Sequence, residues 1–558
     1  MNNMIPNNLL SNFVLNTKGA IPRPSPHPRT IFSLVPLNAK AEAVLNHPNN
    51  REFVSAVPHP DEAGETTLGL GVGFHIGSQS GHTLATIGRT GNIEVDDETI
   101  SRTQCSFEMH ETSKAIMLYD RSSFQSTQVF GKCVIPFESS RPTRRVVVSK
   151  EINLLLGFGG PSCNIFQFRL VWHACETEAM EFPEDREDNP RWARTLDPVP
   201  DVSLAQRLTE IPVPGKQGPR IRYQEQKNVG AGSFGRVFKI LNLDTGDYLA
   251  VKKIYGYNLG DETRRLLKRE VEVMSRVVHE HIVEYIGSQG WGEKEFEIFM
   301  RLKEGNICKL IKMKDIFVHN RLVAEALFKQ MLQALDCLAN AGIIHRDLKP
   351  ENILFTTLSN GEYKFQLTDF GLANIVANAR TIQVGTPIYM APELLTKQEI
   401  QTPKIDVWSL FVTLAYAMNG AGFRKKPLNS HQQVKDAINA AANHKIFSQL
   451  KASHMVEIDP KLRASAGFLL DKFYNGEGRM TPRRRMKRIV GEEPLIKARS
   501  VLNTVQHDAP RIDGQPPAKR QKPSSIQDMD ITIAFPRTHP MLTSTGLPER
   551  EARISELP

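Results

Sequence analysis

Residues 345–352 read His-Arg-Asp-Leu-Lys-Pro-Glu-Asn, and three of them carry groups that could act on one polar centre. Asp347 offers a carboxylate that can accept a proton. Lys349, two residues on, offers an ammonium, and Asn352 offers an amide oxygen. A strand-like run, NILFTTL (352–358), follows, and a second, YKFQLTD (363–369), lies beyond it. Between them stands Asn360-Gly361, the strongest short signal for a two-residue hairpin turn. If those two residues make the turn, facing positions sum to 721 and Asn352 faces Asp369. Facing side chains in a hairpin have Cβ atoms roughly 5 Å apart. An amide and a carboxylate that close could share a hard divalent cation such as Mg2+. They could also simply hydrogen-bond to one another.

Upstream, residues 230–237 read GAGSFGRV, with Gly230, Gly232 and Gly235 in a GxGxxG pattern. Glycines let backbone N–H groups approach phosphates closely. A dinucleotide-binding fingerprint should open a helix. Here GRVFKI continues as a strand, so the glycines belong to a hairpin loop. The next strand is DYLAVKKI (247–254), and alternation puts Ala250 and Lys252 on one face. With Ala250 over a flat base, Lys252 would point at phosphates and Lys253 away. An amphipathic edge strand with solvated lysines is the plainer alternative. Glu270, in the helix-like run TRRLLKREVEVMSRVV (263–278), could pair with Lys252 or stay in water.

The elements that would position these groups are visible in the pattern. Leu327, Met331, Leu335 and Leu338 recur on one face of VAEALFKQMLQALDCLANAG (323–342), and Gly342 stands where a helix would end. WSLFVTLAYAM (408–418) is too short to span a bilayer and reads as a buried helix. Residues 66–175 break into short β-like runs, among them TLATIG, NIEV, AIMLYD, TQVFG and RVVVS, which suggests a β-sandwich. Residues 1–65, rich in Asn and Pro, are expected to be disordered, 176–220 to be an acidic, Pro-rich linker, and 478–558 to be a basic disordered tail. The chain has 558 residues and a net charge of +9, much of it near the C-terminus. That distribution argues against a dedicated nucleic-acid binder. Six cysteines without metal-ligand spacing point to free thiols in a reducing compartment, and the N-terminus lacks a secretory pattern.

After Asp369 come Phe370-Gly371, then GTPIYMAPE (385–393), DVWSL (406–410) and DPKLRASA (459–466). Gly-rich loop, AVK, helix Glu, HRDLKPEN, DFG and APE in this order resemble the protein kinase family over roughly 223–475. The resemblance implies a Ser/Thr kinase that uses ATP and Mg2+ and phosphorylates Ser/Thr in protein substrates. It implies that Val229, Gly230, Ala231, Gly232, Ser233, Phe234, Gly235, Arg236 and Val237 cover the nucleotide, with Ala250 beside the base. Lys252, paired with Glu270, would hold the α/β-phosphates, and backbone groups of Arg301 and Lys303, just after Met300, would meet the adenine. Asp347 would accept or orient the substrate hydroxyl proton, Lys349 would steady the transferring group, and Asn352 with Asp369 would hold Mg2+. Glu393 would pair with Arg463. Thr381 is the candidate activation-loop phosphosite, read by Arg346, and Thr386 would contact Asp347 and Lys349. Phe411 stands where the family usually has Gly, and the stretch from Asp406 to Arg463 is short.

TIGRTGNIEVDDETISRTQCSF (86–107) and LYDRSSFQSTQVFG (118–131) resemble the forkhead-associated (FHA) domain, a sandwich that binds phosphothreonine peptides. The resemblance makes Arg89 and Ser101 the phosphate grip. Gln104 replaces its usual His, and Gln125-Ser126 its Asn-Gly, with Gln125 in the place that holds the peptide backbone. The expected chain is therefore multidomain: an all-β FHA sandwich (66–175), then an α+β bilobal protein kinase fold (221–477), with disordered tails. RRRMKR (483–488) and PPAKRQK (516–522) read as nuclear-import signals. An FHA domain followed by a Ser/Thr kinase resembles DNA-damage checkpoint kinases. That resemblance implies phosphothreonine-containing partners and a possible dimer during trans-activation, while the charge distribution and the short apolar window lead to the expectation of no direct nucleic-acid partner and no membrane. The rival reading is a phosphopeptide-binding scaffold with an inactive kinase-like domain.

Overall fold

The structure is a computed structural model. It describes residues 22–173 and 220–483, except 79–80, 142, 233–234, 256–267, 269–270, 273, 291–294, 370–386, 395–400, 429, 446 and 448–451. The chain divides into two units, residues 1–306 with 351–384 and residues 307–350 with 385–558.

The first unit begins with eleven strands: β1 (Thr30–Pro36), β2 (Val54–Pro58), β3 (Thr66–Gly73), β4 (Thr83–Gly88), β5 (Ile93–Glu94), β6 (Cys105–Met109), β7 (Ile116–Asp120), β8 (Thr127–Phe130), β9 (Arg145–Val148), β10 (Leu155–Phe158) and β11 (Phe166–Trp172). They form a six-stranded sheet, β2-β3-β1-β11-β10-β8, and a five-stranded sheet, β5-β4-β6-β7-β9. The inner faces share one apolar core, in which Phe32 of one sheet meets Phe107 of the other edge-on at 4.9 Å. The arrangement is a β-sandwich.

Its limits correct one expectation. Residues 30–58 are not a disordered tail: β1 lies between β3 and β11, β2 edges the same sheet, and a short helix, α1 (Ala39–Leu45), joins them. TIFSLVP is buried along nearly its whole length, so it shows no alternation and reads as structureless beside its Asn- and Pro-rich neighbours.

The same unit continues with β12 (Tyr223–Gly232), β13 (Gly235–Asn242), β14 (Tyr248–Tyr255), β15 (Tyr285–Gln289) and β16 (Glu295–Arg301), an antiparallel sheet in the order β12-β13-β14-β16-β15. A smaller sheet holds β17 (Gly305–Asn306), β18 (Ile353–Thr357) and β19 (Tyr363–Leu367). Here the hairpin count fails by one. Ile353 faces Leu367 and Thr357 faces Tyr363, so facing positions sum to 720. Leu358 N–H donates to the Glu362 carbonyl, leaving a three-residue loop with Gly361 at φ +80°. That is the hairpin loop whose last residue needs the left-handed region, which Gly361 supplies. Asn352 therefore lies across from Thr368, whose N–H donates to the Asn352 carbonyl at 2.9 Å, and Asp369 is the next residue along.

The sandwich is docked on the β13–β14 hairpin. Met117 and Val147 from the sandwich form one apolar cluster with Leu241 and Leu243. Val147 N–H donates to the Leu243 carbonyl at 2.8 Å, and Arg145 Nε donates to the Asp244 carbonyl at 3.0 Å. The buried Asp244 carboxylate pairs with Arg141 at 2.8 Å and with Arg222, which also reaches Glu138 at 3.2 Å. Gly246, at φ +77°, turns the hairpin, and a Cβ there would come within 2.9 Å of His110 and Met117.

In the second unit, α2 (Ile307–Lys314), α3 (Ile316–His319), α4 (Arg321–Asn340), α5 (Lys404–Ala417), α6 (His431–Ala442) and α7 (Ala466–Tyr474) carry the fold. Asn320 caps α4 by accepting from the N–H groups of Leu322 and Val323. The spacing of Leu327, Met331, Leu335 and Leu338 does mark the buried face. Nearly all of α5 is buried. Phe411 on α5 is wholly buried against Phe447 at 5.1 Å, so the larger residue fills the core rather than breaking it. Residues 480 and 481 are tied back to α4 through Asp336, so the folded part passes 477. Among the described residues no helix is long and apolar enough to cross a membrane.

Asp244→Ala is expected to leave the half-buried Arg141 and Arg222 with Glu138 as their remaining shared carboxylate and to cost about 2 kcal/mol. Urea unfolding followed by hydrogen exchange in β9 and in the β13–β14 hairpin checks this. Unchanged exchange in both would show that the ion cluster does not hold them together.

Candidate active site

Alternation along β14 settles which lysine points where. Lys252 and Ala250 share the buried face, and Lys252 is 1% exposed. Its neighbours across the ladder are Val237 and Ile298. Its Nζ lies 2.7 Å from Asp369 Oδ1. Lys253 points the other way, to Glu225 at 2.9 Å. Burial pulls the Lys253 ammonium down, but Glu225 and Tyr223 more than offset it, so its pKa ends above the ordinary range.

The glycine-rich stretch is the β12–β13 hairpin: Gly230 faces Val237, Ala231 faces Arg236, and Gly232 faces Gly235. A Cβ on Gly235 would stand 2.0 Å from the Lys253 carbonyl, so this position admits only glycine. Val229 is exposed beside the loop. Ser233 and Phe234 lie outside the described residues, as do Glu270, Thr381 and Thr386. The Lys252–Glu270 pair is therefore not described; the partner seen for Lys252 is Asp369.

Lys252 and Asp369 line a cavity with Met274, Val283, Tyr285, Ile298, Met300 and Thr368. Its walls are mostly apolar, with the ion pair and the hydroxyl-bearing Tyr285 and Thr368 as the polar residues among them. Arg301 ends β16, where its N–H donates to the Glu284 carbonyl and its side chain meets the Glu284 carboxylate, each at 3.2 Å. Burial lowers the pKa of the Lys303 ammonium. Asn352 is buried, and Asp369 holds φ +64°, a conformation rare for a non-glycine residue. The oxygen donors of Asn352 and Asp369 suit a hard cation such as Mg2+.

The second unit carries Asp347 and Lys349, with Lys349 Nζ 2.7 Å from Asp347 Oδ2. Their loop is held by backbone groups. The carboxylate of Asp406, 2% exposed on α5, accepts the N–H groups of His345 and Arg346, each at 2.8 Å. Burial pushes the Asp406 carboxyl up, and those two donors with the His345 and Arg346 charges pull it back. His345 is wholly buried, and its Nδ1 accepts the Asp347 N–H at 3.2 Å. Arg346 turns through φ +67° between them. The pairing of Glu393 with Arg463 is present, at 2.5 and 2.9 Å, with Arg463 over the Trp408 ring.

A second polar cluster lies on the sandwich loops. Arg89 is exposed, and its Nε donates to the Ile100 carbonyl at 2.7 Å. Ser101 Oγ accepts from Ser123 N–H at 3.4 Å. The wholly buried Gln104 joins the loops: its Oε1 accepts from Ser101 N–H, and its Nε2 donates to Ser126 Oγ and Thr127 Oγ1, each at 3.0 Å. Gln125 holds φ +53°, and its carbonyl accepts from Arg144, which also pairs with the Asp120 carboxylate at 2.7 Å. The roles of Arg144 and Asp406 escaped sequence reading. An arginine among three in RPTRRVVV, or an aspartate at the head of an apolar helix, carries no local signal of its partner.

Residues 223–487 match the family model "Protein kinase domain". The chain is 30% identical over 263 residues to "Probable serine/threonine-protein kinase nek3" of Dictyostelium discoideum, a match over 45% of this chain and 23% of that protein. It is 34% identical over 215 residues to "Probable serine/threonine-protein kinase fhkD" of the same organism, covering 36% and 28%. To "Serine/threonine-protein kinase PAK 5" of Rattus norvegicus it is 32% identical over 296 residues, covering 50% and 39%. The matches thus span well under half the length of these relatives. Residues 223–487 thus match a protein kinase domain, and the relatives that align with them are named as Ser/Thr protein kinases.

Asp406→Asn keeps the shape but replaces one accepting oxygen with a donor facing a backbone N–H. It is expected to displace the Asp347 loop and lower kcat by about 10²-fold, with the KM for ATP little changed. Steady-state kinetics at varied ATP checks this; an unchanged kcat would show that Asp406 does not position the loop.

Proposed function

We propose that the chain is a Ser/Thr protein kinase whose β-sandwich is an FHA module that recruits it to phosphothreonine-bearing proteins, in nuclear checkpoint signalling after DNA damage. The observation that carries the catalytic reading is the ion pair of buried Lys252 with the partly exposed Asp369, set in the wall of a mostly apolar cavity. Asp347 accepts or orients the proton of the substrate hydroxyl, and Lys349 steadies the transferring phosphoryl group. Lys252 contacts the ATP phosphates, the β12–β13 hairpin covers them, Ala250 lies beside the base, and backbone groups of Arg301 and Lys303 bind the adenine. Asn352 and Asp369 hold Mg2+, which neutralises charge on the phosphates. Thr381 is the activating phosphosite, modified in trans between paired copies.

Arg89 and Ser101 grip the phosphate of a phosphothreonine, as a guanidinium fork and a hydroxyl donor. The support is that Arg89 is exposed while the loops around it are fixed from within by Gln104. Two basic runs, 483–488 and 516–522, support nuclear import.

Incubated with Mg-ATP and a basic protein substrate, the wild type is expected to transfer phosphate to Ser or Thr, and Asp347→Ala to lose at least 10³-fold in kcat. No turnover by the wild type, even with Thr381 phosphorylated, would leave the scaffold reading standing. Titration with phosphothreonine peptides tests the sandwich separately. Arg89→Ala is expected to weaken binding at least tenfold, and binding unaffected by the change would place the groove elsewhere.

A further inference from the structure

The chain leaves α7 and passes back over α4 as a short strap. Its anchor is Asp336, 1% exposed on α4, whose carboxylate takes three donors: Met480 N–H at 2.6 Å, Thr481 N–H at 2.9 Å and the Thr481 hydroxyl at 2.6 Å. Arg479 adds Nε to the Thr481 carbonyl at 2.8 Å, Nη2 to the Pro482 carbonyl at 3.0 Å, and an ion pair with Asp471. Gly467 on α7 makes room: a Cβ there would stand 2.5 Å from Thr481 Oγ1 and 2.6 Å from Asp336 Oδ1. Apolar burial contributes little, since Met480 is 47% exposed. The strap is held by charge and hydrogen bonds, so a change of charge can release it.

The sequence at the anchor is Thr481-Pro482-Arg483-Arg484. Pro482 and Arg483 are exposed and Thr481 is half-buried. Proline has no N–H and a fixed φ, which suits a kinase whose substrate channel offers no acceptor at that place. We propose that Thr481 is a phosphorylation site for a proline-directed Ser/Thr kinase, and that its phosphate releases the strap from Asp336. The new P–O bond forms at Thr481 Oγ, the bond from the ATP γ-phosphorus to its bridging oxygen breaks, ADP leaves, and the hydroxyl proton passes to the kinase's base. The modified side chain has lost its donor and carries nearly two negative charges against a buried carboxylate. Release presents Arg479 and Arg483 together with the basic run that Arg483 begins. Access is by fraying, as expected of a terminal segment with little apolar burial.

The test uses the full chain, Mg-ATP and an added proline-directed kinase, with a parallel incubation lacking that enzyme. Peptide mass spectrometry is expected to find phosphate at Thr481, absent in Thr481→Val and Pro482→Ala. Hydrogen exchange at Met480 and Thr481 is expected to rise at least tenfold on phosphorylation. Asp336→Ala and Gly467→Val, which free the strap without added charge, are expected to be phosphorylated faster than wild type, with circular dichroism showing that they fold. No phosphate at Thr481 in the full chain, when a 476–488 peptide is modified, would overturn the site. Phosphorylation with the two amides still protected would overturn the release, showing that Arg479 and Arg483 take up the phosphate instead.

Discussion

An ammonium that is 1% exposed cannot be left alone, and Lys252 governs much of what surrounds it. Removing one partner of a buried pair typically costs about 3–5 kcal/mol, because the other charge stays behind unsolvated. The pairing with Asp369 therefore ties the middle of the five-stranded sheet to the end of the β18–β19 hairpin. Two conditions must hold for it to form. Strand alternation must put Lys252 inward and Lys253 outward, and the backbone at Asp369 must enter the left-handed region. The first is a property of any strand. The second is strain, held in place by the surrounding contacts. The strand bearing Lys252 begins at a hairpin clamped by the sandwich through Asp244, so the sandwich helps to fix the sheet from its far end.

The second unit uses buried carboxylates in a related way. Asp406 faces backbone N–H groups rather than a cation, and Asp336 does the same about one turn from the end of α4. A carboxylate accepting N–H bonds can fix a loop by direction as well as by charge. Glu393 and Arg463 are a full ion pair, with both side chains nearly sealed from water. Such a pair adds little net stability over an apolar substitute, but it fixes register, since no other geometry satisfies both groups.

What was legible in the sequence follows from periodicity and local chemistry. The α4 face, the inward Lys252 and the glycine hairpin each depend on neighbours within a few residues. The failures lie where the deciding contact is distant or the period is absent. β1 is buried along almost its whole length, so its residues show no polar side to alternate with. The β18–β19 register turned on whether Asn360-Gly361 formed a two-residue turn or the end of a three-residue loop. The same two letters serve both, and one residue of difference moves the facing partner of Asn352 from Asp369 to Thr368. Asp336 and Thr481 lie 145 positions apart, and no local pattern joins them.

The departures at Phe411 and Gln104 show why a residue type is a weaker guide than what a position must supply. At 411 the need is volume: Phe447 packs against the ring, and Gly420 gives that second ring its room. At 104 the need is one acceptor for Ser101 N–H and donors for two hydroxyls. A neutral imidazole offers one donor and one acceptor, whereas a glutamine amide offers an acceptor and two donors. Gln104 uses all three, with both hydroxyls taken by the same Nε2. Gln125 is different, because its left-handed backbone suits Asn better than Gln. There the conformation is held from outside, by Arg144 bonding its carbonyl while paired with Asp120. The loops are thus held by two separate routes, one through the Gln104 side chain itself and one through a neighbour of Gln125.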